Sequence, residues 1–138
     1  MQVLLADDQI EVRSALRLLL DQETGITIVG EAINAEELFA KVESFLPDLV
    51  LLDWELPGFC SKTASHSCEA QFRLLDLREC FPELKIVALS GRIEARWEVS
   101  PVQVDIFVSK SDPPEVLLES IHKLFDGIGG GESGDMVV

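Results

Sequence analysis

The chain has 138 residues, of which 47% are hydrophobic, and this fits one globular domain that buries about two thirds of its surface on folding. Twenty-five acidic residues against eleven basic ones give a net charge of −14, which argues against direct binding of nucleic acid or a membrane surface by this segment. Because no apolar run approaches the ~18 residues of a membrane span and no basic leader precedes the first strand-like segment, we expect a cytoplasmic protein with reduced cysteines.

Short apolar runs alternate with amphipathic segments along most of the chain. Such runs are typical of parallel strands that are buried on both faces. They lie at residues 3–6, 27–30, 49–52, 85–89 and 104–108. Between them apolar residues recur at the helical period, so the sequence predicts an α/β domain with five parallel strands.

Local signals mark the ends of several elements. Asn34 with Glu37 has the pattern of a helix N-cap and its third-position carboxylate. The segment 92–99 is a short, polar and weak helix candidate, and 57–70 is rich in small polar residues and predicts a long surface loop. We expect the domain to span residues 1–126 and residues 127–138 to form a flexible, glycine-rich tail or linker.

The residues at the ends of the predicted strands include polar groups that could bind a ligand or take part in a reaction. In an open parallel sheet, ligands bind beyond the carboxyl ends of the strands. The polar residues there are Asp7, Asp8, Glu31, Asp53, Ser90 and Lys110. Two carboxylates ~5 Å apart repel by roughly 3 kcal/mol at an effective dielectric constant of ~20, so three together favour a bound cation, for which Mg²⁺ is the best fit.

Four motifs follow one another along the chain and read LADDQ at 5–9, LLDWELPG at 51–58, ALSG at 88–91 and FVSKSDP at 107–113. Together they resemble the motifs of response regulator receiver domains from two-component systems. The resemblance covers residues 2–125 and implies a flavodoxin-like (βα)5 doubly wound sheet with strand order 2-1-3-4-5. The last motif is similar to that of receivers attached to NarL-like helix-turn-helix output domains.

The resemblance also implies a role for each motif residue. Asp53 is the expected phosphoacceptor, and Ser90 and Lys110 are expected to bind the phosphoryl oxygens. The expected Mg²⁺ ligands are Asp8, Asp53, the backbone carbonyl of Glu55 and, through water, Asp7. Ser90 and Phe107 stand at the positions of the family's switch residues.

The partners implied are a histidine kinase or phosphotransfer protein, an output domain or partner protein, and a second copy in a homodimer. The phosphoryl transfer would be self-directed, so the protein is not expected to be an enzyme acting on other substrates. Two features depart from the family pattern: the long loop after the third strand, and the weak fourth helix with its exit, where Gln103-Val104 stands in place of the usual Gly-Ala pair.

Other interpretations of the same residues are open at this point. Individually, Asp8 could be a helix N-cap, Ser90 a cap of the next helix and Lys110 a solvated charge. Cys60, His66 and Cys68 could bind zinc, although their spacing lacks the paired CxxC signature of zinc sites. At the level of the whole protein, the alternatives are a receiver-like docking module that is not phosphorylated and a Mg²⁺-dependent phosphohydrolase.

Overall fold

The computed structural model describes residues 1–58, 74–92, 95 and 104–129, with only the backbone described for 126–129. Within these ranges there are five strands and four helices. In chain order they are β1 (Gln2–Ala6), α1 (Ile10–Asp21), β2 (Thr27–Ala32), α2 (Ala35–Phe45), β3 (Leu49–Asp53), α3 (Leu74–Cys80), β4 (Lys85–Ser90), β5 (Ile106–Ser109) and α4 (Pro114–Gly129).

The five strands form one parallel sheet in the order β2-β1-β3-β4-β5. This is the flavodoxin-like order, and it confirms the predicted fold class and strand order. Because all five strands run in the same direction, their carboxyl ends meet at one edge of the sheet.

Two hydrophobic clusters hold the helices against the two faces of the sheet. Successive strand residues point to opposite faces, so Leu4 and Val50 join one cluster while Leu5 and Leu51 join the other. The first cluster contains buried residues of α2 and α3, and the second contains buried residues of α1 and α4. All five residues of β3 are buried, which explains why its sequence is an uninterrupted apolar run up to Asp53.

The predicted start of α2 is confirmed. Asn34 lies at the N-cap, and its side chain accepts a hydrogen bond from the Glu37 N–H at 2.8 Å. The Glu37 carboxylate accepts in turn from the Ile33 N–H at 3.1 Å. Each of these bonds satisfies a backbone donor that the helix itself leaves free.

The start of β5 differs from the prediction. The strand begins at Ile106, two residues later than predicted, and Asp105 just before it bonds to β4 through both its backbone N–H and its side chain. Its Oδ2 accepts from the Ile86 N–H at 2.8 Å and from Arg78 Nη1 at 3.0 Å. Asp105 therefore ties α3 and β4 to the beginning of β5.

Three other predictions fall mainly outside the described residues. The loop at 57–70 is described only at Pro57 and Gly58, and the weak helix at 92–99 only at Arg92 and Ala95. Helix α4 continues to Gly129, three residues beyond the predicted end of the domain, and the tail from 130 onward stays a prediction. No helix in the part of the chain that the structure describes is long and apolar enough to cross a membrane.

Substitution of Gly58 is expected to lower the stability of the folded protein. Its φ of +97° lies in the left-handed region, and an added Cβ would lie 3.0 Å from Ala35 Cβ and 3.2 Å from Ala35 N. The Ala35 N–H donates to the Pro57 carbonyl at 2.8 Å, so the start of α2 cannot move without breaking that bond. We expect Gly58→Ala to lower the free energy of unfolding by about 2 kcal/mol in urea titrations.

Two other glycines separate the causes of that loss. Gly25 has a φ of +89° but no heavy atom within 4 Å of an added Cβ, so Gly25→Ala measures the backbone strain alone. Gly91→Ala would meet neither crowding nor a left-handed φ and should be nearly neutral. A Gly58→Ala protein as stable as Gly91→Ala would contradict the expected crowding.

Candidate functional site

The polar residues predicted at the strand ends do meet at one edge of the sheet. Asp7 directly follows β1, Asp53 ends β3, Ser90 ends β4 and Lys110 directly follows β5. One carboxylate oxygen from each of Asp7, Asp8 and Asp53 lies within 4.8 Å of the others. Asp7 and Asp53 are only 1% and 5% exposed, whereas Asp8 is open to solvent.

Lys110 lies between the two buried carboxylates. Its Nζ is 3.0 Å from Asp7 Oδ2 and 3.3 Å from Asp53 Oδ1. The interpretation of Lys110 as a merely solvated charge is therefore wrong. The contact between Lys110 and Asp7 therefore joins the end of β5 to the end of β1.

The surroundings shift the pKa values of both groups in this pair. Burial raises the pKa of Asp53, while the N–H of Glu55 and the charge of Lys110 act in the opposite direction. For Lys110, burial acts to lower the pKa, but the hydrogen bond to Asp7 and the charges of Asp53 and Asp7 outweigh it and raise the pKa. The surroundings therefore favour the charged form of Lys110, whereas burial disfavours the ionised form of Asp53.

The backbone around the acidic residues fixes their orientation. Asp7 Oδ1 accepts from the Gln9 N–H at 2.8 Å, and Asp53 Oδ1 accepts from the Glu55 N–H at 3.1 Å. The N-cap of α1 is Gln9, not Asp8, so the alternative interpretation of Asp8 as a helix cap is wrong. The carboxylate of Asp8 instead belongs to the acidic cluster.

Ser90 makes contacts that sequence reasoning missed. Its hydroxyl donates to the Glu55 carboxylate, 3.1 Å from each oxygen, and accepts from the Arg92 N–H at 3.0 Å. Arg92 Nη2 also lies 2.9 Å from Glu55 Oε2. A signal was available: Glu55 and Arg92 each lie two residues beyond the ends of paired parallel strands, so their side chains leave the sheet at neighbouring points.

Two aromatic residues lie beside the site: Phe107, a predicted switch position, and Trp54, which follows Asp53. Phe107, on β5, is partly buried and packs against the cluster that contains α2 and α3. Trp54 is buried, and its backbone N–H donates to the Leu89 carbonyl at 2.7 Å. The zinc alternative falls on Cys60, His66 and Cys68, which lie outside the described residues; within the described part of the chain, Asp7, Asp8 and Asp53 are the one group of potential metal ligands.

Glu31 at the end of β2 is held by two arginines of α1. Arg13 Nε is 2.6 Å from Glu31 Oε1, and Arg17 Nε is 3.0 Å from Oε2. Arg13 Nη1 also donates to the Asp7 carbonyl at 2.8 Å, which connects this group to the acidic cluster. The hydrogen bond from Arg17 lowers the pKa of Glu31; burial opposes this, and Arg13 adds to the lowering.

This lowered pKa predicts a pH-dependent contribution to stability. A carboxylate with a depressed pKa stabilises the fold above its unfolded value of about 4.3, and that stability is lost as the pH falls through the folded value. We expect Glu31→Gln to cost about 1 kcal/mol at pH 7 and progressively less below about pH 4 in urea titrations. Glu43→Gln, at an exposed position on α2, is the control; a Glu31→Gln deficit that does not shrink in acid would contradict the assignment.

Comparison with known proteins identifies the class. Residues 3–122 match the family model of the response regulator receiver domain, so the chain belongs to the receiver-domain family of two-component systems. This confirms the resemblance drawn from the four motifs. Response regulators are signalling proteins rather than classical enzymes, and their receiver domains pair with histidine kinases.

The particular relatives are NarL-type regulators. The nitrate/nitrite response regulator protein NarL of Escherichia coli K12 is 30% identical over 135 residues, which cover 91% of this chain and 55% of NarL. The oxygen regulatory protein NreC of Staphylococcus aureus JH9 is 26% identical over 129 residues, which cover 92% of this chain and 56% of NreC. The chain therefore spans about half the length of these curated relatives.

Solved structures show the same fold. A LuxR-family two-component response regulator from Aurantimonas sp. SI85-9A1 superposes with a TM-score of 0.75 at 24% identity, covering 91% of this chain and 85% of that one. The isolated REC domain of RcsB from Salmonella enterica, solved with the phosphomimetic BeF3⁻, superposes with a TM-score of 0.77 at 22% identity, covering 92% and 89%.

Proposed function

We propose that this receiver domain accepts a phosphoryl group on Asp53 from a histidine kinase or phosphotransfer protein and signals by a change of conformation. The observation that carries the proposal is the position of Lys110, within 3.3 Å of both the Asp53 and Asp7 carboxylates at the edge where the strands end. An ammonium group beside a carboxylate nucleophile is what a transferring phosphoryl group requires, since charge develops on its oxygens.

The acidic cluster fits Mg²⁺. Three carboxylates meet within 4.8 Å, they are hard oxygen ligands, and one of them is exposed, which leaves a path for a hydrated ion. Asp7, Asp8, Asp53 and the backbone carbonyl of Glu55 would hold it. When bound, Mg²⁺ would neutralise charge on the phosphoryl oxygens and relieve the repulsion among the carboxylates.

The chain's own residues account for the rest of the transfer. A carboxylate oxygen of Asp53 forms the new bond to phosphorus as the bond to the donor imidazole breaks, and the electron pair of that bond leaves with the imidazole nitrogen. Lys110 already touches Asp53, so it needs little movement to bind a phosphoryl oxygen. Ser90 would bind another oxygen by turning its hydroxyl, and Phe107 would respond from β5.

The wider context follows from the relatives. RcsB, one of the fold neighbours, has been solved bound to a promoter and as dimers bound to DNA. We propose by analogy that this receiver acts on an output domain or partner protein and forms homodimers, and that any contact with DNA is made by that output, because this segment carries a net charge of −14. A cytoplasmic location is part of the same proposal.

Intact mass spectrometry tests the proposal directly. The protein is incubated with acetyl phosphate and Mg²⁺, and we expect a mass gain of one phosphoryl group that does not occur when EDTA replaces Mg²⁺. No gain from any competent donor would favour the alternative of a docking module. Continuous release of phosphate from an added phosphate ester would favour the phosphohydrolase.

A further inference from the structure

The Ser90 hydroxyl already donates its one proton before any phosphoryl group is present. The side chain is buried, and its partners determine to which of them it donates and from which it accepts. The Arg92 N–H can only donate, so the Ser90 oxygen accepts from it, at 3.0 Å. An ionised carboxylate can only accept, so the single hydroxyl proton of Ser90 is directed to Glu55, 3.1 Å from each oxygen.

The Glu55 carboxylate that takes this proton is itself held in place. Arg92 places Nε 3.0 Å and Nη2 2.9 Å from Glu55 Oε2. Both side chains are about two fifths exposed, so the ion pair by itself adds little stability, but it orients the carboxylate towards Ser90. The Glu55 side chain would keep this partner if Ser90 turned away, so the hydrogen bond to Ser90 can break without leaving the carboxylate unpaired.

We propose that Glu55, oriented by Arg92, is a positioning residue that holds the Ser90 hydroxyl in its unphosphorylated direction and so sets how readily the phosphorylated state forms. This rests on the proposed function, because Ser90 needs to turn only if a phosphoryl group is attached to Asp53. Ser90 has one proton, so it cannot donate to Glu55 and to a phosphoryl oxygen at once. Forming the phosphorylated state therefore requires the loss of a charge-assisted hydrogen bond to Glu55.

Removal of the Glu55 side chain should favour the phosphorylated state. We expect Glu55→Ala to bind beryllium trifluoride, in the presence of Mg²⁺, about tenfold more tightly than the wild-type protein. This factor corresponds to the lower end of the free energy that a hydrogen bond to a charged group contributes. The measurement is a titration followed by tryptophan fluorescence, since Trp54 is adjacent to Asp53. The expected backbone ligand of Mg²⁺ is retained because the substitution alters only the side chain.

Two further variants separate the hydrogen bond from the loss of a negative charge. Glu55→Gln removes the same charge but keeps an oxygen that can accept from Ser90, so its affinity should lie between those of the wild-type and Glu55→Ala proteins. In a Ser90→Ala background, Glu55→Ala should give no gain. Glu83→Ala, which removes an exposed carboxylate from the turn before β4, should leave the affinity at the wild-type value.

Each possible result of these titrations either supports or overturns the proposed role of Glu55. Equal gains in Glu55→Gln and Glu55→Ala, or an undiminished gain in the Ser90→Ala background, would show that only the charge matters and would overturn the proposal. An unchanged or weaker affinity in Glu55→Ala would overturn it as well. If the wild-type protein gave neither a response to beryllium trifluoride nor a mass gain with acetyl phosphate, the proposed function itself would fail, and Glu55 would have no such role.

Discussion

Asp53→Asn is expected to abolish the mass gain that acetyl phosphate and Mg²⁺ produce in the wild-type protein. The substitution keeps the size of the side chain but removes the carboxylate oxygen that forms the bond to phosphorus. Asp7 and Asp8 lie in the same cluster, yet the resemblance to receiver domains assigns the phosphoryl group to Asp53 alone, so neither is expected to replace it. The loss should be complete rather than partial.

The folded structure should tolerate this change. Burial raises the pKa of Asp53, so the ionised form is less favourable in the folded protein than in the unfolded chain. A neutral Asn avoids that cost, and we expect the Mg²⁺-free variant to unfold at a urea concentration no lower than the wild type. Asp21→Asn, at the exposed end of α1, is the matched control and should be phosphorylated normally. A stable phosphoryl adduct on Asp53→Asn would refute the assignment of the phosphoacceptor.

Lys110→Met should cause the largest loss of stability, and Mg²⁺ should restore most of it. The variant leaves the nearly buried carboxylates of Asp7 and Asp53 without the ammonium that both contact. Removal of one partner from a buried ion pair typically costs 3–5 kcal/mol; because Lys110 is partly exposed, we expect a loss of about 3 kcal/mol in EDTA. Methionine keeps much of the side-chain volume, so the loss reports the charge.

Urea titrations with EDTA and with Mg²⁺ measure both parts of this expectation. Mg²⁺ at a hundred times its dissociation constant stabilises the folded state by about 2.7 kcal/mol, comparable to the expected loss. Lys123→Met, on the exposed face of α4, should show no loss in EDTA and the same stabilisation by Mg²⁺ as the wild-type protein. If Lys110→Met were as stable as Lys123→Met in EDTA, the contacts of Lys110 would not be neutralising the two carboxylates.

Much of the fold could be predicted from the sequence because its signals are local. A run such as that of β3 must be buried on both faces, and a strand with two buried faces belongs in a parallel sheet covered by helices. The N-cap of α2 follows from Asn34 and Glu37, which lie three residues apart. The acidic cluster was also predictable, since Asp7 and Asp53 directly end apolar strands and the ends of parallel strands meet at one edge.

Only the tertiary structure shows the contacts between groups that are far apart in the chain. Lys110 and Asp7 are separated by 103 positions, and Ser90 and Glu55 by 35, so no local pattern shows which hydrogen bonds they form. The contacts of the Asp105 side chain with Arg78 and the Ile86 backbone, just before β5, are likewise made over distances in the chain that no local pattern covers. Hydrophobic periodicity reports which residues are buried, whereas the direction of a polar side chain depends on the neighbours that folding brings to it.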